Sequence, residues 1–178
     1  NDILKKVFNK GIYKPLKVKH TISPSMDIQV ASNFERLIFD ICSCNSSETL
    51  KLMNDFNEKG ELTLKKENLN KIHESFFSES LSEEETRFVI SETYKKEGTL
   101  IDPHTAVGIG VANKVSLEDD MVVLGTAHPA KFSDVVMKET SRKPELPENL
   151  KKILNQKEKF EELPKDLKKV KDYILGRV

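Results

Sequence analysis

The chain has 178 residues, which is enough for one ordinary domain with a sizeable core. It carries 29 Lys and Arg residues against 29 Asp and Glu residues, so its formal net charge is zero and no basic excess indicates nucleic-acid binding. The sequence contains no apolar run of membrane-spanning length, and early charges such as Lys5 and Lys6 interrupt any signal-like stretch. These features predict a globular protein with a well-solvated surface that binds neither nucleic acid nor membrane.

The first part of the chain predicts helices separated by turns. Apolar spacing over residues 3–8 predicts a short helix that ends at Gly11. Prolines and serines in residues 12–30 predict extended chain and turns. Ser32 and Glu35 have the spacing of a capping box, and the apolar residues that follow them predict a second helix.

The middle of the chain continues the helical pattern. A helix is predicted from about Ser46 until Gly60. Residues 61–81 combine strand-like alternation with later helical spacing, so both structures remain open there. A second capping box begins at Ser82, and its helix is expected to end at Gly98.

The most informative local pattern lies in residues 101–140. Pro103 is placed to begin a helix, and the small residues of that helix predict close packing against a neighbour. The apolar run 121–124 stops at Gly125, which predicts a buried strand that leads into a turn and a helix. In open α/β sheets, ligands bind at the carboxyl ends of such strands.

The chain is expected to divide after residue 140. Residues 141–178 are rich in Lys, Glu and Pro and predict a helical extension, with short amphipathic helices around 150–154 and 167–174. Cys42 and Cys44 lie too close in sequence for a good disulfide and lack the further ligands of a zinc site. We therefore predict no metal site and reduced thiols in a cytoplasmic protein.

Three stretches resemble one enzyme family in colinear order. They are SMDIQVASNFER over 25–36, IDPHTAVG over 101–108 and GTAHPAKF over 125–132. Together they resemble the carboxyl-terminal part of threonine synthase, and the resemblance covers most of residues 1–140. It implies an α/β fold, the three-layer αβα part of a fold-type II pyridoxal-phosphate enzyme, with residues 1–140 in the catalytic domain. The implied reaction converts O-phosphohomoserine and water to threonine and phosphate with pyridoxal 5'-phosphate as cofactor.

The resemblance also implies that part of the machinery lies elsewhere. The chain begins at Asn1 without an initiator Met, and the family's Schiff-base lysine and glycine-rich phosphate loop precede the matching stretches. We expect this chain to be the second part of a longer enzyme, with the amino-terminal half as its partner, and the isolated 178 residues to be inactive. The alternative is a non-catalytic α/β binding or structural module derived from that family.

By resemblance, Thr126 is the predicted cofactor-binding residue, and no catalytic residue is assigned within the chain. A neutral hydroxyl beside the pyridine nitrogen leaves the ring a weaker electron sink than a carboxylate would. A common structural use of Thr126 would be to cap the following turn. His128 could face the cleft and position phosphate or a proton, or it could hold the turn. Lys131 is not the attachment lysine, because the family's lysine lies upstream.

Asp102, His104 and Thr105 form a second polar cluster. These residue types suit a metal or acid–base site, but capping of a helix N-terminus is the favoured interpretation. Arg36 is a further candidate, since a guanidinium can bind a phosphate or carboxylate through two hydrogen bonds. Equally, Glu35 and Arg36 could serve only as a helix cap and as helix surface.

Overall fold

A computed structural model describes residues 1–115, 120–153 and 156–178. The chain forms two compact units, Asn1–Pro144 and Glu145–Val178. The described helices are α1 Ile3–Lys10, α2 Phe34–Ile41, α3 Ser46–Lys59, α4 Lys66–Ser75, α5 Glu83–Glu97, α6 Pro103–Lys114, α7 Ser133–Thr140, α8 Glu148–Lys151 and α9 Leu167–Leu175. The described strands are β1 Ile12–Tyr13 and β2 Leu62–Thr63, and short 3-10 turns lie at Pro24–Met26 and Pro129–Phe132.

Local capping signals explain several helix ends in the first unit. The predicted helices α1, α3 and α5 are confirmed, and each ends at a glycine in the left-handed region, such as Gly98 with φ of 67°. The capping box at the start of α5 is also confirmed. Glu85 N–H donates to Ser82 Oγ over 3.1 Å, and Ser82 N–H donates to the Glu85 carboxylate over 2.7 Å.

The other predicted capping box is wrong, although its helix α2 exists. Asn33 precedes the first helical residue, and no side chain caps the helix. Phe34 N–H donates instead to the carbonyl of Ala31 over 3.0 Å. The capping box would need the Ser32 hydroxyl to accept from Glu35 N–H, and the hydrogen bonds of the described residues do not include that contact, so a main-chain turn precedes the helix without a side-chain cap.

The segment 61–81 contains both of the predicted structures. β2 pairs antiparallel with β1, with Tyr13 opposite Leu62, and α4 follows directly. A hydrophobic cluster forms around this pair from α1, α2, α3 and α4. At its centre, the Tyr13 ring stacks on Phe56 at 4.7 Å and meets Phe34 edge-on at 5.2 Å.

A second hydrophobic cluster holds α5, α6 and α7 together, built on Ile90, Ile101 and Ala106. The predicted close packing of α6 is confirmed, because a Cβ at Gly110 would overlap the Leu81 side chain. A Cβ at Gly108 would lie only 3.1 Å from Val123 Cγ1.

The predicted buried strand at residues 121–124 is wrong. Residues 120–126 form neither helix nor strand, and Val122 and Leu124 are 86% and 76% exposed. A strand needs hydrogen-bonded neighbours, and the described part of the chain places none beside this segment. The predicted turn and helix after it are confirmed as the 3-10 turn at Pro129–Phe132 and α7.

The second unit contains α8 and α9. Leu154, part of the predicted helix near 150, lies outside the described residues, and α9 is confirmed with Asp166 accepting from Lys169 N–H at its start. The functional division after residue 140 stays a prediction. Over the described ranges, no helix is both long and apolar enough to cross a membrane.

Candidate functional site

The first turn of α6 is organised by a buried carboxylate. Asp102 is 0% exposed. Its Oδ1 accepts from His104 N–H over 2.9 Å and from His104 Nδ1 over 2.8 Å. Its Oδ2 accepts from Thr105 N–H over 3.3 Å and from the Thr105 hydroxyl. The predicted capping role is confirmed, and both carboxylate oxygens are engaged twice.

These hydrogen bonds determine the charge state of the site. Burial by itself raises the pKa of the Asp102 carboxyl, but the bonds donated by Thr105 and His104 outweigh it and lower that pKa below its ordinary value. Asp102 is therefore a carboxylate at neutral pH. His104 donates from Nδ1 to this carboxylate, so its Nε2 carries a free lone pair in the neutral tautomer.

The cluster reaches two other segments of the chain. His104 Nε2 accepts from Ser25 N–H over 3.1 Å. The Thr105 hydroxyl accepts from Thr126 N–H over 3.1 Å. The three stretches 25–36, 101–108 and 125–132 therefore meet at one buried carboxylate, which sequence reasoning did not predict.

Thr126 and His128 lie on the exposed side of this junction. The Thr126 hydroxyl takes part in none of the hydrogen bonds found among the described residues, so it does not cap the turn there. His128 does, since its Nδ1 accepts from Ala130 N–H over 3.2 Å. Of the two interpretations of His128, the structure shows the one that holds the turn. The cofactor contact of Thr126 stays a prediction.

The two remaining charged candidates, Lys131 and Arg36, are exposed side chains outside the Asp102 cluster. The Phe132 ring packs against the His104 imidazole with centroids 4.7 Å apart. The Lys131 ammonium is exposed and lies 5.7 Å from the Phe132 centroid. Arg36 is exposed in the first turn of α2. The described hydrogen bonds join neither Lys131 nor Arg36 to the Asp102 cluster.

A further support of the 25–36 stretch was not predicted. The buried Tyr13 hydroxyl accepts from Ala31 N–H over 2.7 Å and so fixes the chain just before α2. A pocket of about 300 Å³ borders Ser25 and is also lined by side chains such as Lys5, Ser23 and Ser80. Among the described residues, no group of three or more His, Cys, Asp and Glu side chains is arranged to hold a metal ion.

The sequence matches the family described as "Threonine synthase, C-terminal" over residues 105–174. Threonine synthase of Pseudomonas aeruginosa is 37% identical over 177 residues, which are 98% of this chain and 38% of that protein. The chain belongs to the threonine synthase family. It spans well under half the length of that relative and corresponds to its carboxyl-terminal part.

Solved structures of the family agree with this assignment. The structure described as PLP-bound threonine synthase from Brucella melitensis superposes with a TM-score of 0.84 at 38% identity, over 97% of this chain and 37% of that one. Yeast threonine synthase superposes with a TM-score of 0.79 at 30% identity, over 99% of this chain and 41% of that one. The predicted α/β fold class with a helical tail is confirmed by these relatives.

Proposed function

We propose that this chain is the carboxyl-terminal part of an enzyme that converts O-phosphohomoserine and water to threonine and phosphate with pyridoxal phosphate. The observation that carries the proposal is the meeting of the three family-like stretches at Asp102. Residues that are far apart in sequence, and that match one family, are held by a single buried network. This is the organisation expected of a shared wall of an active site.

Thr126 is the residue through which this chain would hold the cofactor. Its main-chain N–H is anchored by Thr105, while its side chain is exposed. A neutral hydroxyl can form one hydrogen bond with a pyridine nitrogen without requiring that nitrogen to be protonated. When bound, pyridoxal phosphate supplies the electron-withdrawing ring on which the chemistry depends. The role of this chain is to orient that ring and to exclude water from one face of it.

The rest of the machinery is placed in an amino-terminal part of the same enzyme. We place the attachment lysine there, and residues 1–178 alone are expected to be inactive. The exposed apolar side chains of Val122 and Leu124 support such a partner, because they directly precede Thr126 and would be covered by it. The free thiols of Cys42 and Cys44 support a cytoplasmic location.

The test compares Thr126→Val with Thr126→Ser in the full natural protein. Loss of one neutral hydrogen bond is worth about 0.5–1.5 kcal/mol, so the valine variant should bind pyridoxal phosphate about two- to tenfold more weakly. The serine variant keeps the hydroxyl and should bind like the wild type. Cofactor affinity is followed by absorbance titration, and turnover by phosphate release from O-phosphohomoserine.

Two results would contradict these proposals separately. If the wild-type protein released no phosphate from O-phosphohomoserine, the proposed reaction would be wrong. If Thr126→Val bound the cofactor as tightly as Thr126→Ser, the assignment of Thr126 would be wrong while the reaction could stand. Threonine formation by residues 1–178 alone would refute their expected inactivity.

A further inference from the structure

We propose that Asp102 is a positioning residue whose two carboxylate oxygens each fix a different loop of the site. Oδ1 acts through His104 on the main chain at Ser25, and Oδ2 acts through Thr105 on the main chain at Thr126. The importance of the second loop rests on the proposed cofactor role of Thr126. The two-arm arrangement itself rests on the hydrogen bonds alone.

The Oδ2 arm runs from Asp102 Oδ2 through the Thr105 hydroxyl to Thr126 N–H, and each of its hydrogen bonds has a fixed donor and acceptor. The Thr105 hydroxyl has one proton, and it donates that proton to the Asp102 carboxylate. The hydroxyl oxygen is then left as the acceptor for Thr126 N–H. Because residues 120–126 belong to no helix or strand, this bond restrains a segment that regular secondary structure does not hold.

The Oδ1 arm runs from Asp102 Oδ1 through the His104 imidazole to Ser25 N–H, and its donors and acceptors are fixed in the same way. Asp102 holds the proton of His104 on Nδ1, which leaves Nε2 as the acceptor for Ser25 N–H. The Phe132 ring packs on the imidazole and limits its rotation. Ser25 lies inside the 3-10 turn at Pro24–Met26, so the bond fixes the entry to the stretch 25–36.

The arms can be separated by substitution, because each ends on its own intermediary. Thr105→Val keeps the shape of the side chain and removes the hydroxyl, whereas Thr105→Ser retains it. His104→Asn keeps a donor near the Nδ1 position and loses the distal acceptor. His104→Gln instead offers an acceptor near the Nε2 position. These are two matched pairs, each with a conservative rescue.

The experiment measures hydrogen–deuterium exchange at the Ser25 and Thr126 amides in the full natural protein without cofactor. Thr105→Val should accelerate exchange at Thr126 about tenfold and leave Ser25 unchanged, and Thr105→Ser should restore the slow rate. His104→Asn should do the reverse, with acceleration at Ser25 alone and recovery in His104→Gln. A purely structural role would instead raise exchange throughout α6 in both variants.

The second measurement links the Oδ2 arm to function through the pyridoxal phosphate dissociation constant. We expect it to rise about two- to tenfold in Thr105→Val and to return in Thr105→Ser. Unchanged exchange at Thr126 in Thr105→Val would overturn the inference even if the enzyme makes threonine. Exchange that rises equally at both amides would also overturn it, since the arms would not be separate. If the wild-type protein bound no cofactor, the proposed function would fail while the exchange pattern still decided the two-arm arrangement.

Discussion

Replacement of Asp102 by Asn tests whether Asp102 holds a buried hydrogen-bond network or only caps α6. Asn and Asp are nearly equivalent as N-cap residues, so a capping role alone predicts almost no change in stability. In this chain, however, each carboxylate oxygen accepts two hydrogen bonds. The Asn side chain has only one acceptor oxygen. Depending on its orientation, its NH2 group would face either the two donors of His104 or the two donors of Thr105.

The expected cost follows from that count. Asp102→Asn loses at least two hydrogen bonds to a charged acceptor, each worth about 1.5–3 kcal/mol, and leaves their donors buried. Neighbouring losses are not additive, so we expect a decrease of about 3 kcal/mol or more in the free energy of unfolding. Screening by solvent does not reduce this figure, since the Asp102 side chain is fully buried.

Urea unfolding of the chain followed by circular dichroism measures this change. A loss of about 3 kcal/mol lowers the urea midpoint by about 1–2 M if the slope is unchanged. Asp166→Asn is the matched control, because Asp166 caps α9 with an exposed carboxylate and should shift stability by less than about 0.5 kcal/mol. Equal, small shifts in both variants would refute the network and leave Asp102 as an ordinary cap.

The pH dependence of folding stability gives an independent test of the role of Asp102. The pKa of Asp102 is lowered on folding, so its contribution is present above the unfolded value of 3.8 and is lost as the pH falls below it. The stability difference between wild type and Asp102→Asn should therefore shrink as the pH falls below 3.8. A difference that stays constant with pH would contradict the carboxylate's role.

Two further predictions concern the elements around the site. Tyr13→Phe should lower the free energy of unfolding, measured in urea, by about 1–3 kcal/mol, because the Ala31 N–H would lose its acceptor in the core. The control Tyr94→Phe, at a partly exposed position, should change it by less than about 0.5 kcal/mol. Equal effects of the two substitutions would contradict this reasoning. The Lys114 ammonium and the Ser82 amide lower the pKa of Glu85 to about 2, so wild-type stability should fall between pH 4.5 and about 2. In Glu85→Gln this component of the acid dependence should be absent, and identical pH profiles would refute the assignment.

Helix positions were predictable from the sequence because their signals are local. The capping box before α5 and the glycine after it act within a few residues of the helix that they bound. Pro103 likewise begins α6 because its ring fixes φ and its missing N–H is not needed in the first turn. The family-like stretches were also recognisable without coordinates, since they depend only on residue order.

The contacts that build the site were decided by the tertiary structure. The apolar run 121–124 has the composition of a strand, but a strand exists only beside a hydrogen-bonded neighbour, and the described residues place none there. Asp102 could be recognised as a helix cap from its position. The contacts that Asp102 makes indirectly, through His104 and Thr105, could not be predicted. They end on the main-chain amide of Ser25, 79 residues from His104, and on that of Thr126, 21 residues from Thr105. Every residue except proline has such an amide, so residue type carries no signal for the contact, and only the folded chain brings donor and acceptor together.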